Sequence, residues 1–402
     1  MRNDVCFVCV GQCAGNIGSL LEKKGYDTLF INTADADLAL LQKAKHVYKI
    51  PGERGCNQNP VKAQGVFAQY YREIMDKIIH FATKRIVYFI SATGGGTSGM
   101  TPLMLDAYLE YLGNEEEKAW AAYDESYDAG RNPKPPVKRK AGFIVVLPAL
   151  DESVVLNANA YNFMHQIGET IDRELGNQNT NLANGILLDN ENNKDILKLN
   201  EEFVNLFDSV LKIPEKHKSV KGNIDAADLE DAITAVGITV FSELNKEEFS
   251  ISGLVNSLRS SKIFAQSESD VGRYWLSSTI DEFDISALES ELGAPIAHFK
   301  TYNDYTNLFA LSGLCIPVER IDLMADRAEE YHAKEVRRNS ETFNRNVDVR
   351  GIAPKVAPPR AVRGERNRPA GNGNGTASVS GEQKPAQNSV QDKLKLLRRR
   401  RA

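Results

Sequence analysis

The first half of the chain alternates short apolar runs with longer segments that carry apolar residues at helical spacing. Such alternation predicts a mainly parallel sheet with helices on both faces, because parallel neighbours must be joined by crossover connections. In α/β folds of this kind, ligands bind beyond the carboxyl ends of the strands. The runs that predict strands are DVCFVCV, TLFIN, HVYKI, RIVYFI, GFIVVLP and GILLD.

Small and polar residues follow these strands, in the stretches GQCAGN, NTADAD and TGGGTSG. The chain has no GxxxxGK[ST] loop, and Gly11, Gly15 and Gly18 do not have GxGxxG spacing. Backbone amides at a helix start can still bind phosphate without lysine, because unsatisfied N–H groups and the helix dipole favour an anion. The stretches therefore predict a phosphate site; glycines needed only for tight turns are the alternative.

The second half predicts a further, smaller α/β unit, with strands at ITVFSEL, PIAHFKTYN and LFALSGLCI. A helix with apolar residues at helical spacing precedes it, and another helix follows it. The polar interval 114–140, with mixed charge and NPKPP, predicts a surface insertion. The predicted divisions are 1–197 for the first domain, 198–213 for a linking helix, 214–316 for the second domain, 317–342 for an extended C-terminal helix and 343–402 for a tail.

The net charge of −5 conceals an asymmetry between an acidic body and a basic tail. Residues 343–402 hold 14 Lys and Arg against 4 Asp and Glu, so the tail carries +10 and the rest of the chain −15. The tail has too little apolar content to offset the entropy of ordering, which predicts a disordered tether. It ends in a basic amphipathic segment that predicts docking to phosphates or to an acidic protein. The cations of this segment are Lys393, Lys395, Arg398, Arg399, Arg400 and Arg401.

The chain carries no sign of secretion or membrane insertion. It has no run of 18 apolar residues, and its N-terminal segment lacks the pattern of a signal peptide. The five cysteines form no CxxC…CxxC arrangement, which favours free thiols in a reducing compartment. We therefore expect a cytoplasmic protein without a membrane partner.

Five loops occur in the order and context found in the tubulin/FtsZ superfamily: GQCAGNIG, NTADADLAL, GCNQNPVKAQG, SATGGGTSGM and KGNIDAADLEDAIT. GGGTSG resembles the tubulin signature GGGTGSG with its last Ser and Gly reordered, and NIDAADL resembles the FtsZ pattern NxDxxD. The resemblance spans residues 5 to 315. Within the superfamily, FINTADADLALLQKAKHVYKIP, GGGTSGMTP and VLPALDES look most like the TubZ group of plasmid and phage partition GTPases.

The resemblance implies a GTP/GDP site with Mg²⁺ bound mainly by phosphates and more weakly by Gln12. The first loop would line the α- and β-phosphates, with Asn16 at the ribose; Asn32, Thr33 and Asp35 would approach Mg²⁺ and the γ-phosphate. The third loop would sense the γ-phosphate, and the glycine loop would surround the β- and γ-phosphates. These loops supply Gly11, Gln12, Cys13, Gly15, Asn16, Asn32, Asp35, Gly55, Asn59, Gly94, Gly95, Gly96, Thr97, Ser98 and Gly99.

For the nucleoside, the resemblance implies that Asn190 and Asn200 read guanine, with Asn205 as the competing candidate for the second position. Asp151 and Glu152 would contact the ribose. Helix capping is the alternative for the carboxylates of Asp35, Asp151 and Glu152.

Asp225 and Asp228 are spaced i, i+3, which by itself favours a helix cap or a solvated face. The resemblance implies a catalytic role instead, because in this superfamily the loop enters the nucleotide site of the next subunit. Acidic groups there position and polarise the attacking water. Hydrolysis would then require head-to-tail polymerisation.

The function implied is a filament-forming GTPase that segregates plasmid or phage DNA through an adaptor protein bound to its tail. Direct contact of the tail with DNA is the alternative for that contact. Within the fold, a division FtsZ or a phage spindle tubulin is the alternative, although the tail ends in KLKLLRRRRA and lacks a Pro-Phe docking core. Outside the class, the α/β pattern alone allows a nicotinamide-dependent dehydrogenase, which leaves NIDAADL unexplained.

Overall fold

Six parallel strands form the first part of a twisted sheet in the computed structural model, which describes residues 1–41, 43–175, 177, 179–265 and 272–345. Their order across the sheet is β6-β5-β4-β1-β2-β3. All six end at the same edge, as parallel strands must. The strands are β1 (Val5–Val10), β2 (Asp27–Asn32), β3 (His46–Lys49), β4 (Ile86–Ala92), β5 (Lys140–Leu147) and β6 (Leu182–Asp189).

Four later strands continue this sheet beyond β6, in the order β9-β12-β10-β11. The junction is narrow, because β6 and β9 pair in parallel only at Gly185 and Ile238. Beyond it, β12 runs antiparallel to both β9 and β10, and β11 is parallel to β10. These strands are β9 (Ile238–Leu244), β10 (Tyr274–Thr279), β11 (Ala297–Tyr302) and β12 (Asn307–Leu314); a separate hairpin pairs β7 (Lys218–Ser219) with β8 (Gly222–Asn223).

Helices cover the sheet and bury its apolar residues, so the prediction of an α/β fold with a mainly parallel sheet is confirmed. The aromatic core includes Phe7, Tyr88 and Phe207, whose rings contact one another. The helices are α1 (Gln12–Lys24), α2 (Asp35–Leu38), α3 (Pro60–Gln69), α4 (Tyr71–Phe81), α5 (Thr101–Asp128), α6 (Val154–Leu175), α7 (Ile196–Leu211), α8 (Ile213–Lys216), α9 (Ala226–Ile233), α10 (Ile251–Arg259), α11 (Ile285–Leu292) and α12 (Val318–Arg345).

The polar interval 114–140 differs from the expected surface insertion, because α5 continues through it to Asp128. Its Glu, Ala and Lys residues favour helix, and no proline occurs before Pro133. The helix ends where Gly130 adopts a left-handed φ of 73° and the amide of Arg131 donates to the carbonyl of Ser126. The interval is therefore an exposed helical extension followed by a loop.

Two further elements refine the sequence reading. The helix predicted at 198–213 spans Ile196–Leu211 and begins after Asp195, whose side chain accepts from the amide of Lys198. The strand Tyr274–Thr279 was not among the predicted strands. It is buried in the sheet although its sequence, YWLSST, places three hydroxyl residues in succession.

Residues Met1–Ala328 form one compact unit. The helix predicted at 317–342 is observed as Val318–Arg345. The predicted docking segment, with Lys393, Lys395 and Arg398 to Arg401, lies outside the described residues, as does the predicted tether from residue 346. Within the described ranges, no helix is long and apolar enough to cross a lipid bilayer.

Candidate functional site

A cavity of about 640 Å³ lies beyond the carboxyl ends of β1, β4, β5 and β6. Loops from across the chain converge on it, as expected for an α/β sheet. Twelve of the predicted site residues line it: Gly11, Gln12, Cys13, Asn16, Gly55, Gly94, Gly95, Gly96, Thr97, Ser98, Glu152 and Asn190. The sheet has thus brought together loops that are up to 179 residues apart in sequence, from Gly11 to Asn190.

The N-terminus of α1 opens into this cavity. Its cap residue, Gly11, has a φ of 86°, a left-handed value that strongly favours glycine, and offers no side-chain acceptor. The first amides of the helix therefore have no acceptor from a capping side chain. Together with the glycine loop opposite, this helix end can take a phosphate.

The glycine loop packs too closely for side chains at four positions, because an added Cβ at Gly94, Gly95, Gly96 or Gly99 would lie less than 3.0 Å from a neighbouring atom. A Cβ at Gly94 would lie 2.8 Å from the carbonyl oxygen of Leu156, and one at Gly96 would lie 2.7 Å from the amide nitrogen of Gln58. Asn159 of α6 fixes this arrangement, because its Nδ2 donates to the carbonyls of Gln58 (2.8 Å) and Gly94 (3.0 Å). The backbone of the loop is consequently held against the third loop.

Hydroxyl groups add polar atoms beside the glycines. The Oγ1 atoms of Thr33 and Thr97 lie 2.7 Å apart, which links the second loop to the glycine loop. Ser98 is buried and its Oγ has no hydrogen-bond partner among the described residues. A buried hydroxyl without a partner is costly, and a phosphate oxygen of a bound nucleotide could satisfy it.

Asn190 lines the other end of the cavity, and Asn200 lies one helical turn after Ile196, which also lines it. Asn190 donates to Glu152 Oε1 at 3.3 Å, but its Oδ1 has no partner in the described part of the chain. Asn200 in α7 is 1% exposed and neither its Nδ2 nor its Oδ1 has one. Because an amide both donates and accepts, this pair suits the edge of a purine base. Asn205 is exposed on α7, so the buried unpartnered group favours Asn200 over Asn205.

Seven of the residues predicted to bind GTP do not line the cavity. Asn200 is the buried amide just described, Gly15 packs near Leu41, and Gly99 lies against Pro60, behind the glycine loop. The other four have structural partners. Asn32 Oδ1 accepts from the amides of Thr33 and Ala34, Asn59 caps α3 through Lys62, Asp35 pairs with Lys49 at 3.6 Å, and Asp151 pairs with Lys194 at 3.0 Å.

Asp225 and Asp228 form a reciprocal capping box at the start of α9. Asp225 Oδ1 accepts from the amides of Ala227 (2.8 Å) and Asp228 (2.9 Å), and Asp228 Oδ2 accepts from the amide of Asp225 (3.1 Å). The capping alternative is therefore real in this structure. It does not exclude the catalytic one, since Asp225 is exposed and Asp228 half-buried, with a second oxygen on each carboxylate.

Sequence reasoning missed Asp37, Arg54 and Gln58, which also line the cavity. Asn57 and Gln58 have positive φ values of 50° and 55°, uncommon for residues other than glycine. For Asn57 and Gln58, the only signal in the sequence was that they lie in the third loop. That loop is held in an unusual backbone conformation next to the glycines.

The end of the cavity that carries Asn190 also depends on an ion pair that the motifs did not reveal. Arg320 of α12 makes a bidentate ion pair with Asp189, with Nε–Oδ2 2.7 Å and Nη2–Oδ1 2.8 Å, and donates to the carbonyl of Pro148. Asp189 directly precedes Asn190, so this buried pair fixes the loop that carries the amide. No local pattern connects residues so far apart in the sequence.

Cys13 lies in the wall of the cavity. Burial, assisted by the charge of Glu152, raises the pKa of the Cys13 thiol to about 12, so the thiol is protonated at neutral pH. Among the residues that the structure describes, no group of three or more His, Cys, Asp or Glu could hold a metal ion.

Three features define a protein of the tubulin/FtsZ fold: the sheet order, the site at the strand ends, and the helix α7, which follows the first six strands and precedes the later ones in the chain. The crystal structure of Clostridium botulinum phage c-st TubZ superposes on the chain with a TM-score of 0.68 and 28% identity, covering 83% of this chain and 100% of that one. A GTPγS-form protofilament of Bacillus thuringiensis serovar israelensis TubZ gives 0.66 at 16% identity, covering 85% and 94%, a likeness of fold alone.

Within that class, the chain is TubZ-like. It is 29% identical over 360 residues to the tubulin-like protein TubZ of Clostridium botulinum C phage, a match that covers 88% of this chain and 90% of that protein. No protein-family model matches the chain. The resemblance inferred from the five loops is thus confirmed over most of the sequence.

Proposed function

We propose that this chain is a GTPase that binds GTP in the cavity at the strand ends and assembles head-to-tail into filaments. The observation that carries the proposal is that a glycine loop and an open helix N-terminus share one cavity with the amide of Asn190, whose Oδ1 has no partner among the described residues. The loop and the helix end suit the phosphates, and the amide suits guanine. The similarity to TubZ supports this assignment, as does the GTPγS-form protofilament of the Bacillus thuringiensis protein.

The α- and β-phosphates would bind the amides at the start of α1, and the β- and γ-phosphates would bind the loop Gly94–Gly99. Arg54 lies at the cavity wall and supplies a positive charge for the phosphates. Mg²⁺, when bound, would neutralise phosphate charge, with Gln12 as the nearby side-chain oxygen. Asn190 and Asn200 would hold the base, and Glu152 and Asn16, which line the cavity, would contact the ribose.

Hydrolysis would take place between subunits. Asp225 and Asp228 of one chain would reach the nucleotide of the next, where the oxygens not used for capping orient and polarise the attacking water. Their capping box is consistent with this role, because it fixes the carboxylates without hiding them. A head-to-tail contact of this kind is heterologous, so repetition yields an open filament.

The assembly proposal is tested by 90° light scattering and sedimentation with GTP and Mg²⁺. We expect polymer with GTP and little with GDP, because the γ-phosphate would order the loops at the subunit contact. Electron microscopy identifies the polymer as filaments. Absence of GTP-dependent polymer across a range of salt and protein concentrations would overturn the proposal.

For the cellular role, we propose segregation of a plasmid or phage replicon in a bacterial cytoplasm, with the basic tail bound to an adaptor on centromere-like DNA. The TubZ-like sequence supports this choice over a division FtsZ or a spindle tubulin. The leucines Leu394, Leu396 and Leu397 among the tail cations favour a protein surface over bare duplex. A helix-turn-helix protein encoded beside this gene is the adaptor to test.

Deleting residues 393–402 is expected to leave GTP turnover and filaments nearly unchanged, since the segment lies outside the described compact unit. Retention on adaptor-loaded DNA should be lost, and that of the full chain should fall steeply with salt. The assay compares both chains on adaptor-loaded DNA, on DNA alone and on the adaptor alone. Equal retention of the two chains on every surface would rule out docking by the tail.

A further inference from the structure

The distal half of α5 presents a row of exposed aromatic rings. Trp120 is 43% and Tyr127 62% exposed, with Tyr123 between them. The ring centroids of Trp120 and Tyr123 lie 5.4 Å apart, and those of Tyr123 and Tyr127 lie 6.2 Å apart and stack. The spacing i, i+3, i+7 places all three on one face of the helix. Exposed contiguous aromatics are typical of interaction surfaces.

An acidic row runs beside the aromatic one. Glu117, Asp124 and Asp128 are spaced by seven and four residues, which aligns them along the helix next to the rings. All three are exposed, and no ion pair in the described part of the chain involves them. Residues 114–128 carry six acidic side chains; Glu115 and Glu116 pair with Lys118 and Lys138, so the remaining four leave the segment net negative.

A polar groove of about 730 Å³ lies at one end of this face. Trp120 forms part of its wall together with Pro136 and Asn179. Val137, which follows Pro136 in the loop after α5, is 64% exposed. The face thus combines aromatic surface, free carboxylates and a recess, and we call it the α5 aromatic–acidic face.

We propose that the α5 aromatic–acidic face binds the basic C-terminal segment, Lys393–Arg401, of a second copy of this chain. The composition of the segment complements that of the face, because the segment has six cations and three leucines in nine residues. Guanidinium groups stack on Trp and Tyr rings and pair with carboxylates, and leucines can cover the remaining ring surface. A nucleic acid or an acidic peptide would instead be repelled by this face.

The chain length permits the contact. Residues 346–392 separate the last described residue from Lys393, and these 47 residues span at most roughly 160 Å. A folded unit of this size has a diameter on the order of 50 Å, so the segment can reach an adjacent copy. This proposal goes beyond the GTPase function, and it makes tail binding to an adaptor and tail binding to a neighbouring chain mutually exclusive.

Trp120 itself reports the contact, because the other tryptophan, Trp275, is 1% exposed and shielded from solvent. A reporter chain keeps Trp120 but carries Arg398→Gln, Arg399→Gln, Arg400→Gln and Arg401→Gln. A donor chain keeps the native tail and carries Trp120→Phe. On mixing full-length reporter and donor with GDP, we expect Trp120 emission to move to shorter wavelength and to lose most of its quenching by acrylamide. Both changes should saturate with donor and reverse at high salt.

The matched control is a donor that carries both Trp120→Phe and the four Arg→Gln changes, which should leave the emission unchanged. A reporter with Asp124→Asn and Asp128→Asn, two exposed positions, should respond at least tenfold more weakly to the native donor. An equal response to both donors, or none up to the solubility limit, would overturn the proposal. So would shielding of Trp120 in the wild-type chain that persists unchanged on dilution, because it would assign the contact to the chain's own tail. Since all samples contain GDP, these outcomes do not depend on GTP hydrolysis or assembly.

Discussion

An Asp225→Asn or Asp228→Asn variant is expected to form filaments with GTP. These filaments should hydrolyse GTP at least on the order of 100-fold more slowly than the wild type, because a group that positions the attacking water is lost. Asparagine is the informative replacement, because its side-chain oxygen preserves the capping box at the start of α9 while the charge is lost. Alanine would also remove the cap, at about 1 kcal/mol, and would mix instability with lost chemistry.

The measurement is phosphate release per filament subunit, with GTP binding and sedimentation determined on the same samples. Asp284→Asn is the matched control: Asp284 is also an exposed aspartate that caps a helix, α11, and accepts from the amide of Ala287. Its turnover should equal that of the wild type. Turnover at the wild-type rate in either test variant would show that the residue only caps α9.

A Gly96→Ala variant is expected to bind GTP on the order of 10- to 100-fold more weakly. The added Cβ would lie 2.7 Å from the Gln58 amide nitrogen and 3.0 Å from Cys56 Cβ, so the glycine loop and third loop would have to separate. Overpacking of this kind costs about 1–3 kcal/mol, and each 1.4 kcal/mol is about tenfold in affinity. Because the two loops share the cavity, their displacement acts directly on the phosphate site. Titration with a fluorescent GTP analogue measures the change.

Gly65→Ala provides the matched control for that substitution. Gly65 lies in α3 and a Cβ there meets nothing within 4 Å, so alanine should raise helix stability by up to about 1 kcal/mol and leave GTP affinity unchanged. If Gly96→Ala bound the analogue as tightly as the wild type and melted at the same temperature, the close packing of the two loops would have no role in nucleotide binding.

Most of the architecture was predictable because its signals are local. Apolar runs between helical segments predicted β1 to β6, and the residues directly after β1 and β4 predicted the loops that line the cavity. The distal part of α5 was misread because charge and NPKPP were taken to describe the whole interval, although the prolines follow Asp128. The strand Tyr274–Thr279 was missed because its three hydroxyl residues are polar, although they are buried in the sheet.

The sequence by itself determined the glycine loop and the helix start that line the cavity, since helix starts, tight turns and glycine positions depend on a few consecutive residues. Only the tertiary structure decided which side chains complete and hold that site. The Asn159 bonds to Gln58 and Gly94 and the Arg320–Asp189 pair beside Asn190 join residues far apart in the chain, and packing around α7 buries Asn200 without a partner among the described residues. Such contacts arise from how helices pack on the sheet. The side chains that meet there follow no periodic pattern in the sequence, so the sequence does not predict them.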